Sequence, residues 1–155
     1  MTHVDEQLLA SVFRLGDAYF GIPAAQIQEV VQIGTLTSVH HAPPFVSGIR
    51  NLRGRIVTVI DLKQKLGLGD AINSPETRIL IVDSEGELVG LLVEAVEDTV
   101  FLDGNCISSA PPQVDGIDPA VLSGVYQFGN SLLALLNHEA LLHSKPKQAN
   151  SGLLQ

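Results

Sequence analysis

The chain has 155 residues, 45% of them hydrophobic, and a formal charge of −8. A chain of this size can bury roughly 68–70% of its unfolded surface, enough for one domain or two small subdomains around one core without a metal or disulfide. Its 9 Lys plus Arg are spread thinly against 17 Asp plus Glu, which argues against nucleic-acid binding through phosphate contacts and against an anionic membrane surface.

The first ten residues carry Asp5 and Glu6 and lack the basic, apolar, small-residue order of a signal peptide. Val12 to Leu15 and Ala18 to Ile22 flank Gly16-Asp17 and read as a hairpin that Pro23 ends. Ala24 to Val31 reads as a helical turn passing into a strand. His40 to Pro44 is a loop, because consecutive prolines remove backbone donors and fix φ. Val46 to Leu52 and Arg55 to Ile60 form the next hairpin, around Arg53-Gly54. By the period of two, Ile56 and Ile60 share one face and Val57 and Val59 the other, so this strand is expected to be buried on both or to bridge two cores. Asp61 then caps a short helix, Leu62 to Leu66, which Gly67 stops.

Gly69 to Thr77 is a polar linker, expected to separate two sets of strands and so two small barrels. Arg78 to Val82 and Leu88 to Val93 flank the turn Asp83 to Glu87, and Val96 to Leu102 is the next strand. Asn105 to Asp118 is loop-like. Gly124 to Phe128 and Ser131 to Leu136 pair around Gly129-Asn130, a favoured two-residue turn, and Asn137 caps a last helix through Leu142. Many short strands with only short helices indicate an all-β barrel class, because the long crossover helices of a βαβ fold are missing. No internal repeat is evident.

Candidate chemistry is sparse. His138 and His143 lie five apart, so on a helix they diverge by about 140° and cannot face one metal as the zinc-protease pair does. They read as helix residues facing water while Leu141 and Leu142 pack. Arg78 to Glu85 looks like the start of a phosphoacceptor receiver, but the residues after it read as strands. His40-His41 reads as a surface loop, and Cys106 has no neighbouring base in sequence to make a thiolate. As the chain's single cysteine it permits no internal disulfide and fits a reducing, cytoplasmic location. No apolar run reaches the roughly 18 residues of a membrane helix. A small metal- or thiol-dependent enzyme using His138, His143 or Cys106 is kept as the alternative to a binding protein.

Arg53 and Glu29 each admit two readings. A guanidinium at a rigid turn is either solvated or able to pair bidentately with a partner carboxylate. Glu29, between Ile27 and Val30 in an otherwise apolar run, is either in a structural ion pair or in contact with a partner.

Asn51-Leu52-Arg53-Gly54, followed by an apolar strand and Asp61-Leu62, resembles the chemotaxis coupling protein (CheW) family. Ile27 to Val30, Leu88 to Val96 and Leu132 to Leu142 support the match, which covers Leu8 to His143. The resemblance implies an all-β fold of two SH3-like five-stranded β-barrel subdomains sharing an apolar core, with short helices. It also implies a non-enzymatic adaptor without cofactor or metal, joining methyl-accepting chemotaxis receptor tips to the regulatory domain of the histidine kinase CheA. Through those partners it would associate with membrane receptor arrays without inserting into the bilayer. By the same resemblance, Glu29, Asn51, Arg53 and Gly54 are candidate receptor- or kinase-binding residues, and Gly90 and Val96 lie at positions sensitive for assembly. The chain departs from the family's pattern at Thr58 (often Pro), at Ala95 (often Gly), and at Asn130 and Asn137 (often Asp). The domain is expected to span 8–143, with 1–7 and 144–155 as flexible tails.

Overall fold

A computed structural model describes residues 7–112 and 116–143. The strands in chain order are β1 (Gln7–Leu15), β2 (Ala18–Pro23), β3 (Ile27–Val31), β4 (Val46–Leu52), β5 (Arg55–Asp61), β6 (Arg78–Ser84), β7 (Glu87–Val93), β8 (Ala95–Asp103), β9 (Leu122–Phe128) and β10 (Ser131–Leu136). Helix α1 (Leu62–Lys65) follows β5 and α2 (His138–Leu142) follows β10. The strands form two five-stranded sheets: a terminal sheet, β8-β1-β2-β10-β9, and a central sheet, β3-β6-β7-β5-β4. The all-β fold with short helices is as expected from the sequence.

Alternation along the strands explains the core. In β6, Ile79 and Ile81 face a cluster with Val57, Val59 and Leu92, while Leu80 and Val82 face a larger one. In β10, Leu133 and Leu135 join Ala10 and Val12, while Ala134 and Leu136 join that same larger cluster. The larger cluster takes Phe13, Phe20 and Ile22 from the terminal sheet and Leu91 and Val93 from the central one, so it is the core shared by both. Burial of each such side chain stabilises by about 1.5–3 kcal/mol. The uninterrupted apolar runs of β6 and β10 thus reflect strands covered on both faces.

Several expectations need correction. Gln7, assigned to a tail, opens β1 opposite Asp103; residues 1–6 and 144–155 lie outside the described residues. Strand β1 begins well before Val12, since Leu8 to Ser11 pair with β8. Ile60 is buried but Ile56 is 60% exposed, because the core ends before the hairpin tip. The described part of Asn105 to Asp118 is a loop as expected, entered through the 3-10 turn Gly104–Cys106 that Asp103 caps.

The polar segment 69–77 does not divide the sheets. It does divide the strands five and five, and the two halves follow one plan. Each half is a hairpin, then three strands, then a helix capped by Asp61 or Asn137. The hairpin of each half sits in the sheet built on the other half's three strands, through a parallel pairing, β2 with β10 and β7 with β5. Thr37 bridges Ile49 as Ser108 bridges Val125. Beside those bridges, a Cβ on Gly48 would meet the Thr37 carbonyl oxygen at 2.7 Å, and one on Gly124 the Ser108 carbonyl oxygen at 2.8 Å. A repeat is therefore present in the structure where none is evident in the sequence.

Candidate functional site

The hairpin β4–β5 closes through two residues with positive φ, Arg53 at 52° and Gly54 at 87°. Such a pair suits the twist of a tight antiparallel hairpin, and Gly meets the second position without strain. The Asn51 side-chain oxygen accepts from the Gly54 N–H at 2.8 Å and locks the turn. Arg53 Nη2 donates to Glu29 Oε1 on β3. Arg50 Nη1 donates to the Gln32 carbonyl oxygen just beyond β3. Strands β3 and β4 stand at opposite ends of the central sheet's order, so these two arginines tie its ends together.

Glu29 and Arg53, read separately in the sequence, contact each other. Both remain open to solvent, the Arg53 side chain 69% and that of Glu29 31% exposed. The hydrogen bond from Arg53, more than its charge and that of Arg50, holds the Glu29 carboxyl below its ordinary range despite an opposing effect of burial. The Arg53 guanidinium is correspondingly pushed up. An exposed pair of this kind contributes little to stability. Arg50, Arg53 and Arg55 against Glu29 make the tip a basic spot on an acidic chain, and Ile56 and Val30 expose apolar surface beside it.

The other two candidates lie elsewhere. Gly90 is buried in β7, between Ile81 and Val59, and offers no surface to a partner. Val96 pairs with Phe13 and packs on the shared core, lining a groove of about 320 Å³ with Arg14, Glu76, Arg78 and Glu97.

Glu94 was not singled out from sequence. It is the single residue between β7 and β8, where the chain crosses from the central to the terminal sheet. Its buried carboxylate accepts from the Gly16 and Ile72 N–H groups and from Lys63 Nζ at 3.2 Å. Burial alone pushes this carboxyl up, and the bonds from Ile72, Gly16 and Lys63 together outweigh it and hold the group below its ordinary range. The available signal is an acidic residue closing the apolar run Leu88 to Val93. A groove of about 510 Å³ opens beside it, lined by Gly16, Asp17, Tyr19, Lys63, Leu68 and Leu132.

The residues of the enzyme alternative do not converge. His138, expected to face water, is buried, with Nδ1 at 3.1 Å from Gln26 Oε1 and Nε2 at 3.2 Å from the Asp83 carbonyl oxygen. His143 is exposed and pairs with Glu85 and Glu139. The exposed Cys106 lies 3.7 Å from an Asp103 carboxylate oxygen, an acceptor rather than a cation. Among the described residues no group of three or more His, Cys, Asp or Glu side chains is arranged to hold a metal ion. Nor is any helix among them long and apolar enough to cross a membrane.

Residues 10–145 match the family model of the CheW-like domain. The chain is 30% identical over 134 residues to Chemotaxis protein CheW of Klebsiella aerogenes, covering 86% of this chain and 81% of that protein. It is 29% identical over 138 residues to Protein FrzA of Myxococcus xanthus, covering 88% and 86%. Among solved structures, the scaffolding protein TtCheW from Thermoanaerobacter tengcongensis superposes with a TM-score of 0.84, at 32% identity and 96% coverage of both chains.

Proposed function

The chain belongs to the CheW-like domain family, and from that membership we propose that it is a non-enzymatic adaptor in chemotaxis-type signalling. It couples methyl-accepting receptor tips to the regulatory domain of a CheA-type histidine kinase. It works in the cytoplasm, joins membrane receptor arrays only through these partners, and binds neither cofactor nor nucleic acid. Residues 8–143 are its working unit. The observation that carries this reading is the locked tip, where Asn51 and Gly54 fix the turn and Glu29 orients Arg53 beside exposed Ile56 and Val30. Fixed charge next to apolar surface sets register and excludes wrong partners without chemistry. Gly90 supports this surface from within, and Val96 lies on a second face.

The test is a pull-down of the full chain with a CheA-type regulatory domain and with a receptor cytoplasmic fragment. The parent binds both. Arg53→Glu weakens binding while circular dichroism and melting stay unchanged, and adding Glu29→Arg restores the internal pair without restoring a binding mode that needs Arg53 itself. Failure of the parent to bind either cognate partner overturns the proposal. A fall of many degrees in the melting of Arg53→Glu shows that Arg53 is structural.

A further inference from the structure

The strand pairings sort into two kinds. Those of β1–β2, β4–β5, β6–β7 and β9–β10 are hairpins within one half of the chain. Those of β1–β8, β2–β10, β3–β6 and β5–β7 all join the first half to the second. Neither half alone completes a sheet, and the shared core draws Phe13, Phe20 and Leu62 from one and Leu80, Leu91 and Leu136 from the other. The covalent link between halves is the segment 69–77. We propose that two copies of this chain exchange halves through that segment, giving a dimer of two complete double-sheet units.

In such a dimer each unit pairs the first half of one copy with the second half of the other. All eight strand pairings are kept, as is the Lys63–Glu94 contact, which also joins the halves. What changes is confined to the linker: the Ala71 N–H on Asp61, the Ile72 N–H on Glu94, and Gln64 on Asp70. Gly69, with φ of 102° and nothing within 4 Å of a built Cβ, leaves room to redirect the chain. Fully extended, nine residues reach about 30 Å. Exchange through one link that preserves the native contacts is the low-cost route to a dimer. A chain's own second half competes at an effective concentration of the order of millimolar. The exchanged form therefore accumulates when chains fold together near that concentration and not when they fold dilute.

The experiment refolds the full chain, carrying a protease site inserted between the exposed Asn73 and Ser74, at about 1 µM and about 1 mM. Circular dichroism and melting of the uncut insertion chain are first matched to the parent. Light scattering is expected to give single mass from dilute refolding and an added double-mass species from concentrated refolding. Complete cleavage converts an exchanged dimer into two single-mass particles, each retaining both fragments. A double-mass species that survives complete cleavage is held by another surface and overturns the proposal, as does its absence at 1 mM. Should the insertion disturb folding, the parent is refolded as a mixture of isotopically heavy and light chains and treated with a zero-length carbodiimide. Heavy-to-light Lys63–Glu94 links are expected in the double-mass fraction, with like-to-like links alone in the single-mass fraction. Like-to-like links alone in both fractions refute exchange.

Discussion

Replacing Gly90 with Ala places a methyl group where the structure has no room. The new Cβ lies 2.5 Å from Ile79 Cγ2 and 3.4 Å from Val57 Cγ1 and Val59 Cγ2. Carbon atoms settle at about 3.5–4.0 Å, so Ile79 must retreat by roughly 1 Å. Ile79 is fully buried and stiff at χ1, and β7 is paired on both sides. Overpacking of this kind costs about 1–3 kcal/mol, against a gain of about 0.5–1 kcal/mol from removing glycine inside a strand. The net loss is about 1–2 kcal/mol, or about 2–8 °C in melting temperature for a chain of this length. Thermal melts and urea titrations followed by circular dichroism measure it. Ile79→Ala alone opens a cavity and costs about 2–5 kcal/mol, but in its background Gly90→Ala becomes neutral or stabilising. Gly21 supplies the control, because its nearest obstacle is the Leu135 Cδ2 methyl at 3.1 Å, the far end of a more yielding side chain, and its substitution costs less. Unchanged melting of Gly90→Ala, or strict additivity with Ile79→Ala, refutes the reasoning. Unchanged melting with lost partner binding makes Gly90 a contact residue instead.

Two further predictions concern buried polar groups. Glu94 has its folded pKa below the unfolded value, so its contribution to stability is present above the ordinary carboxylate range and is lost as pH falls through the folded pKa. Urea midpoints of the parent are therefore expected to fall toward acid pH below that range more steeply than those of Glu94→Gln, and parallel curves would contradict the assignment. His138→Ala removes contacts to Gln26 and Asp83 and is expected to cost about 1–3 kcal/mol, while exposed His143→Ala stays within about 0.5 kcal/mol of the parent. Equal melting of the two histidine variants would place His138 outside the core.

What was legible in the sequence was local. The turns Arg53-Gly54 and Gly129-Asn130 mark hairpins because each supplies a glycine for the positive φ the turn requires, and both lie where expected. Asp61 and Asn137 mark helix starts because a short acceptor reaches the Gln64 and Ala140 N–H groups. The exchange of hairpins was not legible, since alternation records which face a residue takes and nothing about which strand lies beside it. The repeat was hidden because its matched positions, such as Gly48 with Gly124, are fixed by backbone contact, while the residues between them diverge. The Glu29–Arg53 pair needs the edge of β3 brought to a turn far along the chain, a fact of the sheet's order. The burial of His138 is not legible because its polarity suggests water, whereas its two hydrogen-bond partners come from the 3-10 turn before β3 and from the end of β6.

The crossing of the two halves also bears on synthesis. When the ribosome has made β1 to β5, the second-half neighbours of β1, β2, β3 and β5, which are β8, β10, β6 and β7, do not yet exist. At about 5–20 residues per second, the stretch from the end of β5 to the end of β10 takes on the order of 4–15 s to be made. Through that interval Phe13, Phe20 and Ile22 have nothing to be buried against from β6 to β10. The nascent chain is thus exposed to aggregation and to chaperone capture until β6 to β10 have emerged, and both sheets complete only once β10 is available.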